Sequence, residues 1–419
     1  MEARSRAVAL AERESNDDGP ARHSPWRAAL WRSGFRPFFL AGALYGPFAL
    51  WIWMGGYLGV WRAPWVVREP WWHGHEMVFG FYAAIISGLL LTALPSWAGI
   101  REHAGRTLAL LLVVWLAGRA VMLLASSLPW PIVAAIDSAA LIALPGVLAP
   151  GLLRARQRKF AIVLPVLAAL AAVNLLFHAS HARGDGDAAL RSLVAAVAIV
   201  VVLYSLVAGF MTPVFTNNAL RDQRDARRVL RSTRIDVAAH VLAVAFALTQ
   251  ALAMPASIAA VVAATACVVH AARLALWRGW RVRGNPLVIA MHVGYAWLVV
   301  AFGLAALGAL GAGIGARAWL HAVTIGAIGM MMLALMPRVA LRHTGRALVL
   351  ARAMSASYVA MSAAAVLRLA YGFGGATTLL VVAALAWSAC FVTYAIVYGP
   401  ILVRPSVPRA SPPANPPFP

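Results

Sequence analysis

The hydrophobic pattern of this chain is a series of long apolar runs separated by short polar segments. Each run has about 20 residues, the length that an α-helix needs to cross the hydrocarbon core of a bilayer. Because an unbroken apolar run lacks the alternation of a membrane β-strand, the pattern predicts spanning helices. The twelve runs lie at about residues 38–60, 76–98, 107–126, 131–150, 160–179, 191–215, 235–253, 256–274, 286–308, 318–337, 348–370 and 376–401.

Composition excludes an ordinary soluble domain. Hydrophobic residues make up 62% of the chain and charged residues 12%, whereas soluble domains are about 45–50% apolar. The sequence therefore predicts an all-α fold, a polytopic membrane bundle of about 12 helices that forms one domain over residues 36–403. A polar, Arg-rich segment (1–35) precedes it, without the apolar core of a cleavable signal peptide. A Pro-rich tail (404–419), expected to be disordered, follows it.

The distribution of basic residues predicts the orientation of the bundle. Of the 36 Lys and Arg residues, 28 fall in the two termini and in alternate connections, and only 5 in the remaining connections. Basic connections favour the cytoplasmic side, where they meet anionic lipid. We therefore expect a multi-pass protein of the bacterial inner (cytoplasmic) membrane, with both termini inside. The net charge of +22 then reflects contact with the lipid bilayer, not with nucleic acid.

Ionisable groups inside the apolar runs are candidates for function, because a charge at membrane depth is costly. The densest group is His73-Gly74-His75-Glu76-Met77. On a helix, His73 and His75 point about 200° apart, so they converge on one metal only if the helix starts near His75. Arg119 lies within the third run, where we expect Glu76, Asp137 or an acidic group of a cofactor to pair with it.

The predicted orientation brings several histidines to the outer face. They are His73, His75, His178, His181 and His321. Neutral imidazole is a ligand for haem iron and for copper, so this face is a candidate haem or copper site. The chain has two cysteines and no CxxCH motif, so any haem would be non-covalent. The alternative is that these are interfacial histidines bonded to loop carbonyl groups or water.

The sequence also contains a weak internal repeat. Pro95, Pro213 and Pro337 fall near the predicted cytoplasmic ends of the second, sixth and tenth runs, 118 and 124 residues apart. This spacing suggests three four-helix repeats, and the alternative is that proline simply ends helices. In the tenth run, Gly326 and Gly329 would let a neighbouring helix or a flat macrocycle approach the backbone closely.

Several motifs together resemble those of a known family. They are Gly34-Phe35-Arg36-Pro37-Phe38-Phe39, His73 to Gly80, Leu91 to Gly99, Trp115 to Arg119, Pro213 to Thr216, His321 to Gly329, and Arg338 with His343-Thr344-Gly345-Arg346. These motifs and their order along the chain resemble those of the NnrS family, whose members are haem- and copper-containing inner-membrane proteins from denitrifying and nitric-oxide-exposed bacteria. The resemblance implies a role in nitric oxide metabolism or in relief of nitrosative stress. The motif residues that it carries over are His73, His75, Glu76, Arg119, His321, Arg338, His343 and Arg346.

These observations lead to one main hypothesis, a protein with non-covalent b-type haem and copper that binds nitric oxide or protects iron from it. We predict His75 and His321 as metal ligands, and the remaining candidates for cofactor binding are His73, Glu76, Arg119, Arg338 and His343. His73 is an alternative ligand or an orienting group, and Glu76 fixes the orientation of an imidazole. The alternative function is a transporter of a small anion or metal complex without haem. A haem–copper oxidoreductase is disfavoured because no two histidines are adjacent. Whether the protein is an enzyme stays open.

Overall fold

The computed structural model describes residues 29–61, 69–225, 227–315 and 317–407, and within these ranges the regular structure is entirely helical. Twelve of its helices are long and apolar enough to cross a membrane. They are α1 Phe35–Tyr57, α2 Pro70–Ala98, α3 Arg106–Leu123, α4 Trp130–Arg154, α5 Arg158–Ala182, α6 Gly186–Asp222, α7 Thr233–Ala251, α8 Ala256–Arg281, α9 Pro286–Ala309, α10 Ala318–His343, α11 Arg352–Gly372 and α12 Thr377–Val403. The predicted all-α fold with twelve spans is confirmed. Most of the predicted segment 1–35 and of the tail 404–419 lies outside the described residues.

Polar residues in the short connections define several helix ends. Asp185 accepts a hydrogen bond from the backbone N–H of Ala188 (2.9 Å) and thereby caps the start of α6. Ser232 and Asn285 cap α7 and α9 in the same way. At the other end of a helix, α2 stops at Gly99, whose φ of 71° lies in the left-handed region that favours glycine.

Three helices form the interior of the bundle. The apolar windows of α2, α6 and α10 are 83%, 78% and 78% buried, whereas those of the other nine spans are 28–61% buried. Among the other helices, consecutive ones pack against each other within α3–α5, α7–α9 and α11–α12, and α12 packs against α1. Each inner helix is the second of a group of four, and each contains one of Pro95, Pro213 and Pro337. This arrangement is the one that three four-helix repeats would produce.

Two of the inner helices contain a π-helical segment. In α2 it spans Glu76–Tyr82 and in α10 it spans Ala322–Gly329, so each segment begins directly after a histidine. Segments of this kind are rare and frequently lie at functional sites. In α10, a Cβ atom added to Gly326 would lie 2.5 Å from the Trp297 ring. The expected close approach at Gly326 is therefore made by the neighbouring helix α9.

Candidate functional site

The histidines of α2 lie on opposite sides of the helix. The helix runs without a break from Pro70 through Gly74, so His73 and His75 diverge as their spacing requires. The condition under which both would bind one metal, a helix start near His75, is not met. The polar residues of this end of the bundle therefore form two separate sites, one around His73 and one around His75.

The first site is a cavity of about 250 Å³ between α1, α2, α6, α10, α11 and α12, which we call the histidine cavity. Its ionisable wall residues are His73, His321 and Arg368, and its aromatic ones include Trp53 and Trp387. The rest of the wall is largely apolar. The structure therefore brings His321 together with His73, and places His75 elsewhere.

Both imidazoles of the histidine cavity lack hydrogen bonds to other residues of the described part of the chain. The Nδ1 atom of His73 is buried without a partner. The His73 ring stacks on the indole of Trp53, with centroids 4.2 Å apart and an interplanar angle of 25°. A buried polar atom without a partner destabilises the fold by roughly 1–3 kcal/mol. The unpartnered Nδ1 of His73, on the same wall as the His321 imidazole, makes this cavity a candidate ligand site.

A hydrogen bond ties together the two π-helical walls of the cavity. The hydroxyl of Tyr82, at the end of the α2 segment, donates to the carbonyl oxygen of Thr324 in the α10 segment (2.8 Å). Both residues line the cavity. This hydrogen bond joins α2 and α10, the helices that carry His73 and His321.

The second site is a buried network that we call the polar cluster. Its members are Tyr45, His75, Glu76, Arg119, Asp137, Asn174 and His178, contributed by α1 to α5. At its centre, Arg119 donates from Nη1 to both carboxylate oxygens of Glu76, each at 2.8 Å. Its Nη2 donates to Asp137. Two of the three partners expected for Arg119 are therefore its partners in the structure.

His75 lies between the two carboxylates of the polar cluster. Its Nδ1 is 2.9 Å from Glu76 Oε1, so Glu76 orients this imidazole. Its Nε2 is 2.9 Å from Asn174 Oδ1 and 3.2 Å from Asp137 Oδ2. Asp137 Oδ2 also accepts from Asn174 Nδ2 (2.9 Å) and from His178 Nε2 (2.8 Å). These hydrogen bonds fix the orientations of the His75 and His178 rings.

The polar cluster contains a set of atoms that fits a metal ion. One ligand atom each from His75, Asp137 and His178 lies within 4.8 Å of the others, and all three residues are buried. Two imidazoles and a carboxylate suit iron, copper or zinc. The cluster also has two carboxylates and one guanidinium, so one further positive charge balances it. Either a proton on His75 or a bound cation supplies that charge.

Some residues of the two sites were not among the sequence candidates. Asn174, Trp53 and Arg368 were given no role, and His178 was placed only on the outer face. Asn174 and His178 are four residues apart and so share one face of α5. That spacing of two polar residues in an apolar run is the signal that could have identified them.

Other predicted cofactor-binding residues lie at the opposite end of the bundle. Arg338 packs over the ring of Phe215, 3.6 Å from its centroid, and the rings of His343 and Phe35 are 5.8 Å apart. Along α10, His343 is roughly 33 Å from His321 at 1.5 Å per residue. Arg338 and His343 therefore do not share a site with His321.

Arg36, a residue of the Gly34 to Phe39 motif, joins two helices at this same end of the bundle. Arg36 donates from Nη1 to the carbonyl oxygens of Leu402 and Arg404, both at 2.7 Å, and so caps the end of α12. The first and last spans are joined by this contact.

Comparison with known proteins identifies the family of this chain. The sequence model of the NnrS protein family matches residues 29–406. A search of curated proteins gave no match. Since the family match includes all twelve helices, the histidine cavity and the polar cluster, the chain belongs to the NnrS family.

Proposed function

We propose that this protein is a haem- and copper-binding protein of the bacterial inner membrane that binds nitric oxide or protects cellular iron from it. Membership of the NnrS family supports a nitric-oxide-linked membrane protein. The observation that carries the haem proposal is the pair of imidazoles without hydrogen bonds, His73 and His321, on the wall of one cavity. The outer face remains the proposed location of this cavity.

In this proposal His73 and His321 would hold the haem. His73 replaces the predicted ligand His75 at the haem, because His73 lines the cavity with His321 whereas His75 lies in the polar cluster. When bound, haem supplies an iron centre that can take up nitric oxide. The cavity is slightly smaller than the roughly 300–1,000 Å³ of typical small-molecule pockets, so side chains such as Met77 must move to admit a macrocycle. Stacking on Trp53 keeps the His73 ring in place.

Copper is assigned to the polar cluster, with His75, Asp137 and His178 as ligands. A bound cation supplies the positive charge that balances Glu76 and Asp137 against Arg119. Glu76 holds His75 through Nδ1, so Nε2, which faces Asn174 and Asp137 in the structure, would be the nitrogen that binds the metal. This assignment keeps the prediction that His75 is a metal ligand. In it His73 binds haem and His75 binds copper.

Analysis of purified protein tests both assignments. Haem is measured as the pyridine haemochromogen and copper by elemental analysis. We expect His321→Ala to lose haem and keep copper, and His178→Ala to lose copper and keep haem. His343→Ala, at the opposite end of α10, serves as the matched control and should keep both. The haem assignment would be overturned if the wild-type protein contained no haem, or if His321→Ala contained as much haem as the wild type.

A transporter of a small anion is the second candidate function. The observation that favours it is Arg368, a cation in the wall of the histidine cavity. Haem-free protein reconstituted in liposomes would then move nitrite across the membrane. Nitrite flux by haem-free protein would favour transport. If haem-free protein gives no flux and the purified protein contains haem, the first proposal is favoured.

A further inference from the structure

Arg368 differs from two other arginines inside the spans, Arg119 and Arg273, which have carboxylate partners. Arg119 pairs with Glu76 and Asp137, and the buried Arg273 donates from Nε to Asp236 Oδ1 at 2.8 Å. Arg368 forms no ion pair or hydrogen bond with any residue in the described ranges. Its guanidinium carbon lies 5.3 Å from the centroid of the Tyr371 ring.

The position of Arg368 makes this lack of a partner informative. The side chain is half-buried and lines the histidine cavity beside His73 and His321. A cation in a largely apolar cavity at membrane depth is costly without an anion beside it. The same surroundings strengthen any charge–charge contact that forms there, because the local dielectric constant is low.

We propose that Arg368 is an anion-binding residue of the histidine cavity. A guanidinium presents paired N–H donors that match a carboxylate or a small oxyanion. With the two imidazoles, it gives the cavity one cationic and two metal-ligating or hydrogen-bonding groups. The anion has two potential sources, a carboxylate of the macrocycle bound by His73 and His321, or a free ion such as nitrite. Only the first source rests on the proposed function.

The first arm of the test separates the carboxylate from the rest of the macrocycle. Haem-depleted protein is titrated with haem and with haem dimethyl ester, whose carboxylates are blocked, and the Soret band is followed. Hydrogen bonds to charged groups contribute about 1.5–3 kcal/mol. We therefore expect Arg368→Gln to weaken binding of haem by roughly 10- to 150-fold and to leave binding of the dimethyl ester unchanged.

The second arm uses nitrite alone with haem-free protein in isothermal titration calorimetry. Saturable binding by the wild type that is lost in Arg368→Gln would identify a free anion as the ligand. If the wild type binds neither form of haem, the proposed function fails, and the nitrite titration still tests Arg368.

Two further variants control for the loss of positive charge and for damage to the fold. Arg352→Gln removes an exposed arginine of the same helix, roughly 24 Å away at 1.5 Å per residue, and should leave both titrations unchanged. Arg368→Lys keeps the charge and should restore part of the binding. The proposal is overturned if Arg368→Gln changes neither the haem nor the nitrite titration, or if it weakens haem and the dimethyl ester equally and leaves nitrite binding unchanged.

Discussion

Buried charge in this protein is concentrated around Arg119, whose guanidinium contacts two carboxylates from different helices. Glu76 lies on α2 and Asp137 on α4, so Arg119 of α3 joins three spans through charged hydrogen bonds. Removal of one member of such a buried group leaves the others without compensation. The polar cluster should therefore be as important for stability as for metal binding.

Glu76→Gln tests this role. The substitution removes the charge that faces Arg119 and the acceptor that orients His75, so we expect the free energy of unfolding to fall by about 3–5 kcal/mol. The measurement is denaturant or thermal unfolding of the purified protein in detergent. Asp225→Asn is the control, because its carboxylate lies 3.8 Å from an exposed Arg227 and such surface pairs contribute only about 0–1 kcal/mol. Equal losses of stability in Glu76→Gln and Asp225→Asn would refute the stabilising role of the polar cluster.

The sequence predicted part of the site at the level of single residues. Glu76 and Asp137 were identified as partners of Arg119 because few acidic residues lie within the apolar runs. The divergence of His73 and His75 followed from helix geometry. The assignment of His73 to one site and His75 to the other could not be predicted. Spacing along one helix does not determine which neighbouring helix each side chain contacts.

At the scale of single elements, α2 and α10 carry most of the site. The apolar run predicted that α2 spans residues 76–98, but the helix begins at Pro70 and includes both histidines. From hydrophobicity alone, polar residues that precede an apolar run are predicted to belong to a loop. The π-helical segments could not be predicted from the apolar pattern either, because most of their residues are apolar and buried whichever helical geometry they adopt.

Gly326→Ala tests the packing of the α10 segment. A new Cβ would lie 2.5 Å from the Trp297 ring, and crowding of this kind in a packed core costs about 1–3 kcal/mol. We expect lower thermal stability and lower haem content in the purified variant. Gly146→Ala on α4 is the matched control, since no heavy atom lies within 4 Å of the added Cβ. It should be neutral or slightly stabilising, and a Gly326→Ala variant that behaves in the same way would argue against the tight contact.

For the whole molecule, the sequence predicted the number of helices but not which ones lie inside. The number follows from the membrane, because each apolar run must cross lipid as a hydrogen-bonded helix. The interior position of α2, α6 and α10 could not be deduced, since side chains that face lipid and side chains that face other helices are equally apolar. The proline repeat was the one feature of the sequence that grouped these three helices.

The orientation of the bundle stays a prediction that cysteine labelling can test. In a background with Cys267→Ser and Cys390→Ala, Asp187→Cys and Gln157→Cys each place one exposed thiol at opposite ends of the bundle. With both termini in the cytoplasm, a membrane-impermeant maleimide added to spheroplasts should label Asp187→Cys. Gln157→Cys should react only after the membrane is permeabilised. The opposite pattern would invert the proposed topology.

The haem content of His73→Ala and His75→Ala tests the central claim most directly, that two sites lie on opposite sides of α2. The two substitutions remove the same side chain from the same helix, two residues apart. Each variant is purified with a haem supply during expression, and haem per chain is compared with the wild type. The account predicts that His73→Ala loses haem whereas His75→Ala keeps it and loses copper. Haem that is retained in His73→Ala and lost in His75→Ala would contradict it.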